Sequence, residues 1–176
     1  MVAQHYRQME PAPGRMDDMA PYAVGGRIAP RLNMAQLVRQ AARLVEVRPE
    51  LVAAYQEALR RWSGYPVLRL LGLPIVTEGY RSAATQDERY THGRSAPGPV
   101  VTYKRGGESK HNLLPSRALG VAILLPDGSV VWSGLLLSKF ARLVKAADMR
   151  VHLPRRGPRG LAGVQGPAAF RGVGWK

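Results

Sequence analysis

The apolar run GVAILL at residues 120–125 constrains the fold more than any other feature of the sequence, because the turn residues Pro126, Asp127 and Gly128 follow it directly. A continuous apolar run of this length bounded by turn residues is consistent with a buried strand. Pro, Asp and Gly each favour turns, and a second β-branched segment, SVVW, resumes at once. The sequence therefore predicts an antiparallel hairpin with Asp127 as a turn residue.

Two segments in the first half of the chain have helical periodicity. From Asn33 to Val47, apolar residues recur at intervals of three and four, which is typical of an amphipathic helix. A second amphipathic segment opens at Pro49, a residue that is favoured in the first turn of a helix. Gly64 and Pro66 interrupt it, so the pattern predicts two consecutive helices that cover a core.

The remaining elements are shorter. LPIVTE at residues 73–78 and GPVVTY at 98–103 are β-branched runs that predict strands. Ser82 is a candidate N-cap for a short helix between them, and a last amphipathic helix is predicted to start at Ser133 or Ser138. This order of helices and strands predicts an α+β domain, a small antiparallel sheet with packed helices.

Three regions follow from this pattern. Residues 1–30 carry Pro, Gly and Met without periodicity, and we expect a flexible arm there. Residues 31–149 are expected to form the folded domain. Residues 150–176 are rich in Arg, Gly and Pro with no acid to balance the charge, and we expect a basic, poorly ordered tail.

Composition narrows the classes of function. The chain has no cysteine, which excludes disulfides and thiolate metal sites, so any metal must be held by His and carboxylates. It has 26 Lys and Arg against 12 Asp and Glu, a formal charge of +14 that favours a polyanionic partner such as nucleic acid, a membrane surface or an anionic cell envelope. We expect no membrane span, no signal peptide and no nucleic-acid-binding motif.

Four stretches in the middle of the chain together carry a recognisable set of motifs: TEGYRS with Arg81, QDERYTHGRS with Gln86, PGPVVT, and GESKHNLLPSRALGVAI with Ser109 and His111. In this order they resemble the zinc D-Ala-D-Ala carboxypeptidases and L-alanyl-D-glutamate endopeptidases of bacterial cell-wall metabolism, in particular the small phage endolysins. The resemblance runs from about Pro49 to Asp148. It implies a Hedgehog/D-Ala-D-Ala-peptidase-like fold and hydrolysis of peptidoglycan stem peptides.

The resemblance also implies roles for single residues. His111 matches the first zinc ligand of the family, and Arg81 matches the arginine that holds substrate or the developing oxyanion. Two roles stay open for Ser109, which can contact a substrate or the ligand shell, or cap its loop. The second zinc ligand of the family is an aspartate, and Gly120 stands at that position. Glu78 and Ser82 are expected to hold the turn beside Arg81.

The third ligand and the general base of the family come from a C-terminal Gly-Asp-Trp…Asp-x-Pro-His-Phe-Glu stretch, which this chain lacks. Read one nucleotide later, however, the codons of residues 160–172 can encode Asp-Trp-Gln-Gly-Phe-Arg-Asp-Pro-Pro-His-Phe-Glu. We therefore interpret the tail as the family's metal-binding end in a shifted reading frame, with the shift between about Asp148 and Gly160. His92 is expected to be structural. His5 and His152 lie in regions for which no position in the fold is predicted.

Two hypotheses of different classes follow. The first is a zinc-dependent peptidoglycan hydrolase, impaired in this sequence, that acts as a monomer on the bacterial cell wall after release from a cytoplasm. The second is a non-catalytic basic module that binds cell-wall glycan or nucleic acid. The zinc content of the protein distinguishes the two.

Overall fold

The computed structural model describes residues 23–24, 27–132 and 134–151, and in this part of the chain the α+β prediction is confirmed. A two-stranded ladder comes first, followed by two long helices, a short helix, the first strand of the main sheet, a fourth helix, a hairpin and a final helix. The elements are β1 (Ala23–Val24), β2 (Arg27–Ile28), α1 (Met34–Val45), α2 (Pro49–Ser63), α3 (Pro66–Leu71), β3 (Leu73–Glu78), α4 (Ala83–Thr91), a 3-10 turn (Lys110–Asn112), β4 (Gly120–Leu124), β5 (Val130–Val131) and α5 (Leu135–Ala147).

The main sheet has the order β3-β4-β5, and both pairs of strands are antiparallel. The β4-β5 hairpin is the predicted one, and Asp127 accepts hydrogen bonds from the Ser129 backbone at 2.9 Å and hydroxyl at 2.6 Å. The pairing of β3 with β4 shifts register between Val76 and Glu78, so that Glu78 pairs with Gly120 at the end of the ladder. This irregular end of the sheet carries the candidate site.

The core lies between this sheet and the two helices α2 and α5. Trp62 and Tyr55 of α2 each meet the ring of Phe140 edge to face, with centroids 5.7 Å apart. The polar atoms of both α2 rings are paired, because the Trp62 indole donates to the Gly72 carbonyl at 2.9 Å and the Tyr55 hydroxyl donates to the Pro74 carbonyl at 3.0 Å. The two helices are thus tied to the start of β3.

Helix α1 begins at a capping box in which Asn33 and Gln36 bind each other's backbone N–H groups. It lies along the free edge of β3. There, Val76 donates its N–H to the Gln40 side chain at 2.6 Å and accepts a hydrogen bond from Arg43 at 2.7 Å. Two polar side chains of α1 thereby satisfy backbone groups that a neighbouring strand would otherwise bind at this edge.

One prediction about secondary structure is wrong, and one helix was not predicted. Residues 98–103 form no strand, because the backbone carbonyls of Thr102 and Lys104 bind the side chains of Arg94 and Gln86 instead of a neighbouring strand. Helix α3 was not predicted, and it restarts directly at Pro66 after α2 ends.

The predicted boundaries also change at three places. Helix α5 begins at Leu135, between the two serines considered as its start. Four residues of the predicted N-terminal arm pair as β1 and β2, whereas the arm up to residue 22 lies outside the described residues. Val151, assigned to the tail, is fully buried and belongs to the core. The rest of the tail, residues 152–176, lies outside the described part.

None of the helices described here is long and apolar enough to cross a membrane.

Candidate active site

His111 lies in the 3-10 turn that follows the long loop after α4, and its side chain is 3% exposed. Its ring Nδ1 is 2.7 Å from the carbonyl oxygen of Gly79, the residue after β3. The backbone of the turn is fixed to the same place, since the Arg81 N–H donates to the His111 carbonyl at 2.9 Å. The turn is therefore held against the irregular end of the sheet by both its side chain and its main chain.

The chemical state of His111 suits a ligand. A carbonyl can only accept a hydrogen bond, so Nδ1 carries the proton and Nε2 carries the lone pair. Burial, with a smaller contribution from repulsion by Arg81 and Arg89, lowers the pKa of the imidazole to about 4. Nε2 is buried, and no residue in the described part of the chain forms a hydrogen bond with it. Metal-bound histidines have this same arrangement, a neutral ring whose second nitrogen donates to a carbonyl or carboxylate.

Arg81 is 7% exposed and is held on several sides. Its guanidinium forms a two-point ion pair with the Glu78 carboxylate and donates to the Gln86 side chain at 2.5 Å. Glu78 also pairs with Arg89 at 2.9 Å, so that one carboxylate serves two guanidinium groups. Burial lowers the pKa of Arg81 to about 10, and the neighbouring Arg89 contributes to this, but the group stays cationic at neutral pH. The site is thus a partly buried cluster with surplus positive charge.

Gln86 is the residue whose role the sequence did not show. It is completely buried in α4, where its oxygen accepts from Arg81 and its amide donates to the Thr102 hydroxyl at 3.1 Å and the Lys104 carbonyl at 2.6 Å. Its position in the motif stretch was visible, but a glutamine on a short polar helix gives no sign of burial. Gln86 joins Arg81 to the loop that replaces the predicted strand.

Ser109 acts as a cap. Its hydroxyl accepts from the His111 N–H at 3.3 Å, and Asn112 completes a capping box by accepting from the Ser109 N–H at 3.1 Å. Asn112 also donates to the Arg81 carbonyl at 2.7 Å. The capping role is therefore seen, while a contact of Ser109 with substrate stays a prediction.

Gly120 pairs with Glu78 in the β3-β4 ladder. The residue after Glu78 is Gly79, whose carbonyl contacts the His111 ring. A Cβ atom placed on Gly120 would lie 3.0 Å from the Glu78 Cβ and 3.0 Å from the Thr77 hydroxyl oxygen. The position that the resemblance assigns to a zinc ligand therefore lies at the site, but it has no side chain and little room for one.

The other residues considered as metal ligands do not complete a site with His111. Asp127 is an exposed turn residue bound to Ser129, as predicted, and His92 lies at the end of α4. His5 and His152 lie outside the described residues. In the described ranges, no three His, Cys, Asp or Glu side chains are grouped so as to hold a metal ion. His111 alone fits the zinc that the resemblance implies, and the described residues as a set do not.

The structure thus brings His111, Arg81 and Ser109 together, as expected from their motifs. Of the strands predicted beside these motifs, β4 with Ala122 is present. The strand predicted at residues 98–103 is absent, and a loop takes its place. The roles of the three residues in catalysis and binding stay predictions.

Comparison with known proteins found similar proteins that include two L-alanyl-D-glutamate endopeptidases by name. No model of a known protein family matches the chain. Over 58 residues, 33% of the chain, it is 48% identical to the peptidoglycan L-alanyl-D-glutamate endopeptidase CwlK of Bacillus subtilis (strain 168). The match covers 34% of CwlK, so the chain spans about a third of the length of this curated relative.

Among solved structures, the L-Ala D-Glu endopeptidase ChiX of Serratia marcescens aligns with a TM-score of 0.47 and 25% identity, over 71% of this chain and 80% of ChiX. Through the stretch shared with CwlK, the chain is related to the peptidoglycan L-alanyl-D-glutamate endopeptidases, as its motifs predict.

Proposed function

We propose that this chain is a peptidoglycan stem-peptide hydrolase by descent, whose zinc site is incomplete in the sequence as it stands. The observation that carries the proposal is the state of His111: a neutral, buried imidazole that Gly79 orients through Nδ1 and whose Nε2 has no hydrogen-bond partner among the described residues. Buried side-chain polar atoms are usually hydrogen-bonded, and leaving one unpaired costs about 1–3 kcal/mol.

The incompleteness has two parts. Gly120 cannot bind a metal through a side chain, although it pairs with the residue next to the His111 contact. The second part is the tail, for which we propose a shifted reading frame. One imidazole cannot hold zinc against water, since structural and catalytic zinc sites use three or four protein ligands. We therefore expect little or no hydrolysis by the chain as given.

Arg81 would serve substrate binding in the complete enzyme. Its guanidinium keeps its charge and is fixed by Glu78 and Gln86, so it is preorganised to meet a carboxylate or a developing oxyanion. We propose peptidoglycan or its stem peptides as the partner, the bacterial cell wall as the place of action, and a monomer as the active form.

The experiment compares three proteins. These are the chain as given, its Gly120→Asp variant, and that variant with residues from 160 onward encoded in the shifted frame. Bound zinc is measured by mass spectrometry, and release of amino groups from purified peptidoglycan is measured in the same samples. We expect no stoichiometric zinc in the first, weak binding in the second, and chelator-sensitive hydrolysis only in the third.

The matched control is His111→Ala in the third protein, which should lose both zinc and hydrolysis. If the chain as given already binds stoichiometric zinc and cleaves peptidoglycan, the incomplete-site proposal is wrong. If the third protein gains neither, descent from a zinc hydrolase does not explain the site. Binding of the unaltered chain to peptidoglycan without any cleavage in the third protein would favour the non-catalytic module instead.

A further inference from the structure

The outward face of α1 is apolar along its whole length. The side chains of Met34, Leu37, Val38 and Val45 are 74, 47, 61 and 84% exposed, and no residue of this helix is buried. An amphipathic helix normally turns its apolar stripe to the core and its polar face to water. In α1 this arrangement is reversed.

The reversal follows from how the helix is held. Gln40 and Arg43 both bind the backbone of Val76 at the free edge of β3, so the polar face must point inward. Because an α-helix turns about 100° per residue, Val38 and Val45 lie roughly opposite these two polar residues. The contact of Gln40 and Arg43 with β3 therefore causes the apolar stripe to face outward.

Single apolar side chains scattered on a surface need no explanation. In α1, four of them lie on one face of the same helix. The charge around this stripe is positive. Between residues 31 and 48 the chain has four arginines, at positions 31, 39, 43 and 48, against one acid, Glu46. The whole chain carries a formal charge of +14. A partner must therefore offer both an apolar phase and negative charge.

Two other occupants fit these conditions poorly. A polyanion without an apolar phase would meet the charge but leave the stripe in water. A second copy of the chain would bring equal positive charges together. In addition, a helix face about 18 Å long and 10 Å wide offers roughly 200 Å², far below the ~800 Å² per partner of a standard interface.

We propose that α1 is an interfacial helix that lays Met34, Leu37, Val38 and Val45 into the surface of an anionic lipid bilayer. Amphipathic helices with basic residues beside the apolar stripe bind at the boundary between lipid headgroups and acyl chains, in the plane of the membrane. Arg39, which is exposed at the border of the stripe, lies at headgroup level in this orientation. The inference stands apart from the proposed hydrolase activity.

The test uses the full chain and sedimentation with vesicles of phosphatidylglycerol and phosphatidylcholine in equal parts, or of phosphatidylcholine alone. We expect binding to the anionic vesicles and little to the neutral ones. The double variant Val38→Gln/Val45→Gln should reduce the partition coefficient by about tenfold, since both side chains leave the apolar contact. Leu135→Gln is the matched control, because Leu135 is 82% exposed at the start of α5, and it should bind like the unaltered chain.

Several outcomes would overturn the proposal. The first is no binding to anionic vesicles by the unaltered chain. The second is equal binding by the double variant, which would assign adhesion to charge elsewhere. The third is a concentration-dependent dimer in light scattering that the double variant abolishes, which would make the stripe a self-interface. The substituted side chains point into solvent, and a circular dichroism melt confirms that each variant is folded.

Discussion

The Nδ1 atom of His111 lies 2.7 Å from the carbonyl oxygen of Gly79, and this contact joins the 3-10 turn to the end of β3. Gly79 follows Glu78, which pairs with Gly120 across the sheet. The buried histidine and the glycine that replaces an expected aspartate therefore meet at one strand end. The other ring nitrogen, Nε2, is buried without a hydrogen-bond partner in the described part of the chain.

We predict that His111 makes the stability of the protein depend on pH. Burial lowers its pKa from 6.5 to about 4 in the folded chain, so the unfolded chain binds more protons between these values. The free energy of unfolding should fall as the pH drops from about 6.5 to about 4, by up to about 3 kcal/mol, and should not change on this account at higher pH. Urea denaturation at a series of pH values measures this slope, and His111→Asn should flatten it. An imidazole titration by NMR with a midpoint near 6.5 would contradict the prediction.

Gly120→Asp should destabilise the chain in the absence of metal. The new Cβ would approach the Glu78 Cβ and the Thr77 hydroxyl to 3.0 Å, and crowding of this kind in a packed site costs about 1–3 kcal/mol. Thermal unfolding with and without zinc measures the effect. Gly120→Ala is the control, since it adds the Cβ without the carboxylate. If zinc raises the melting temperature of both variants equally, the carboxylate takes no part in binding the metal.

Glu78→Gln should cost about 3 kcal/mol or more, because it leaves the buried guanidinium of Arg81 and that of Arg89 without their counter-charge. The matched control is Glu57→Gln on α2. Glu57 also pairs with two arginines, Arg60 and Arg61, but at the surface, where solvent screens the pair. Chemical denaturation should show a much smaller loss for the control, and equal losses would mean that burial does not strengthen the Glu78 cluster.

Gln86→Leu should cost about 2–4 kcal/mol, since its buried partners at Arg81, Thr102 and Lys104 would lose hydrogen bonds with no water to replace them. Hydrogen exchange should also rise in the loop at residues 98–105, which Gln86 holds to α4. Gln56→Leu, an exposed position on α2, is the control and should stay within about 0.5 kcal/mol of the unaltered chain. Unchanged exchange in the loop would show that Gln86 does not hold it.

Local chemistry in the sequence determined much of this fold. The cap at Asn33, the proline at Pro49 and the cap at Ser82 placed the starts of three helices, and the turn at Asp127 placed the hairpin. Each of these signals acts between residues a few positions apart, so no knowledge of the rest of the chain is needed to interpret it. The ordered set of motifs that includes Arg81 and His111 likewise indicated the relatives without a structure.

Contacts between distant residues decided the rest. GPVVTY has the composition of a strand, but a strand needs a partner, and here Arg94 and Gln86 bind the backbone at Thr102 and Lys104. The periodicity of α1 predicted a helix that covers the core. In the structure, however, Gln40 and Arg43 form hydrogen bonds with the free edge of β3, so the apolar stripe faces outward. Only the tertiary structure shows that Gln86 is buried and that Nε2 of His111 has no hydrogen-bond partner among the described residues. Burial and hydrogen-bond partners depend on which segments meet in space, and periodicity records only which residues share a face of one segment.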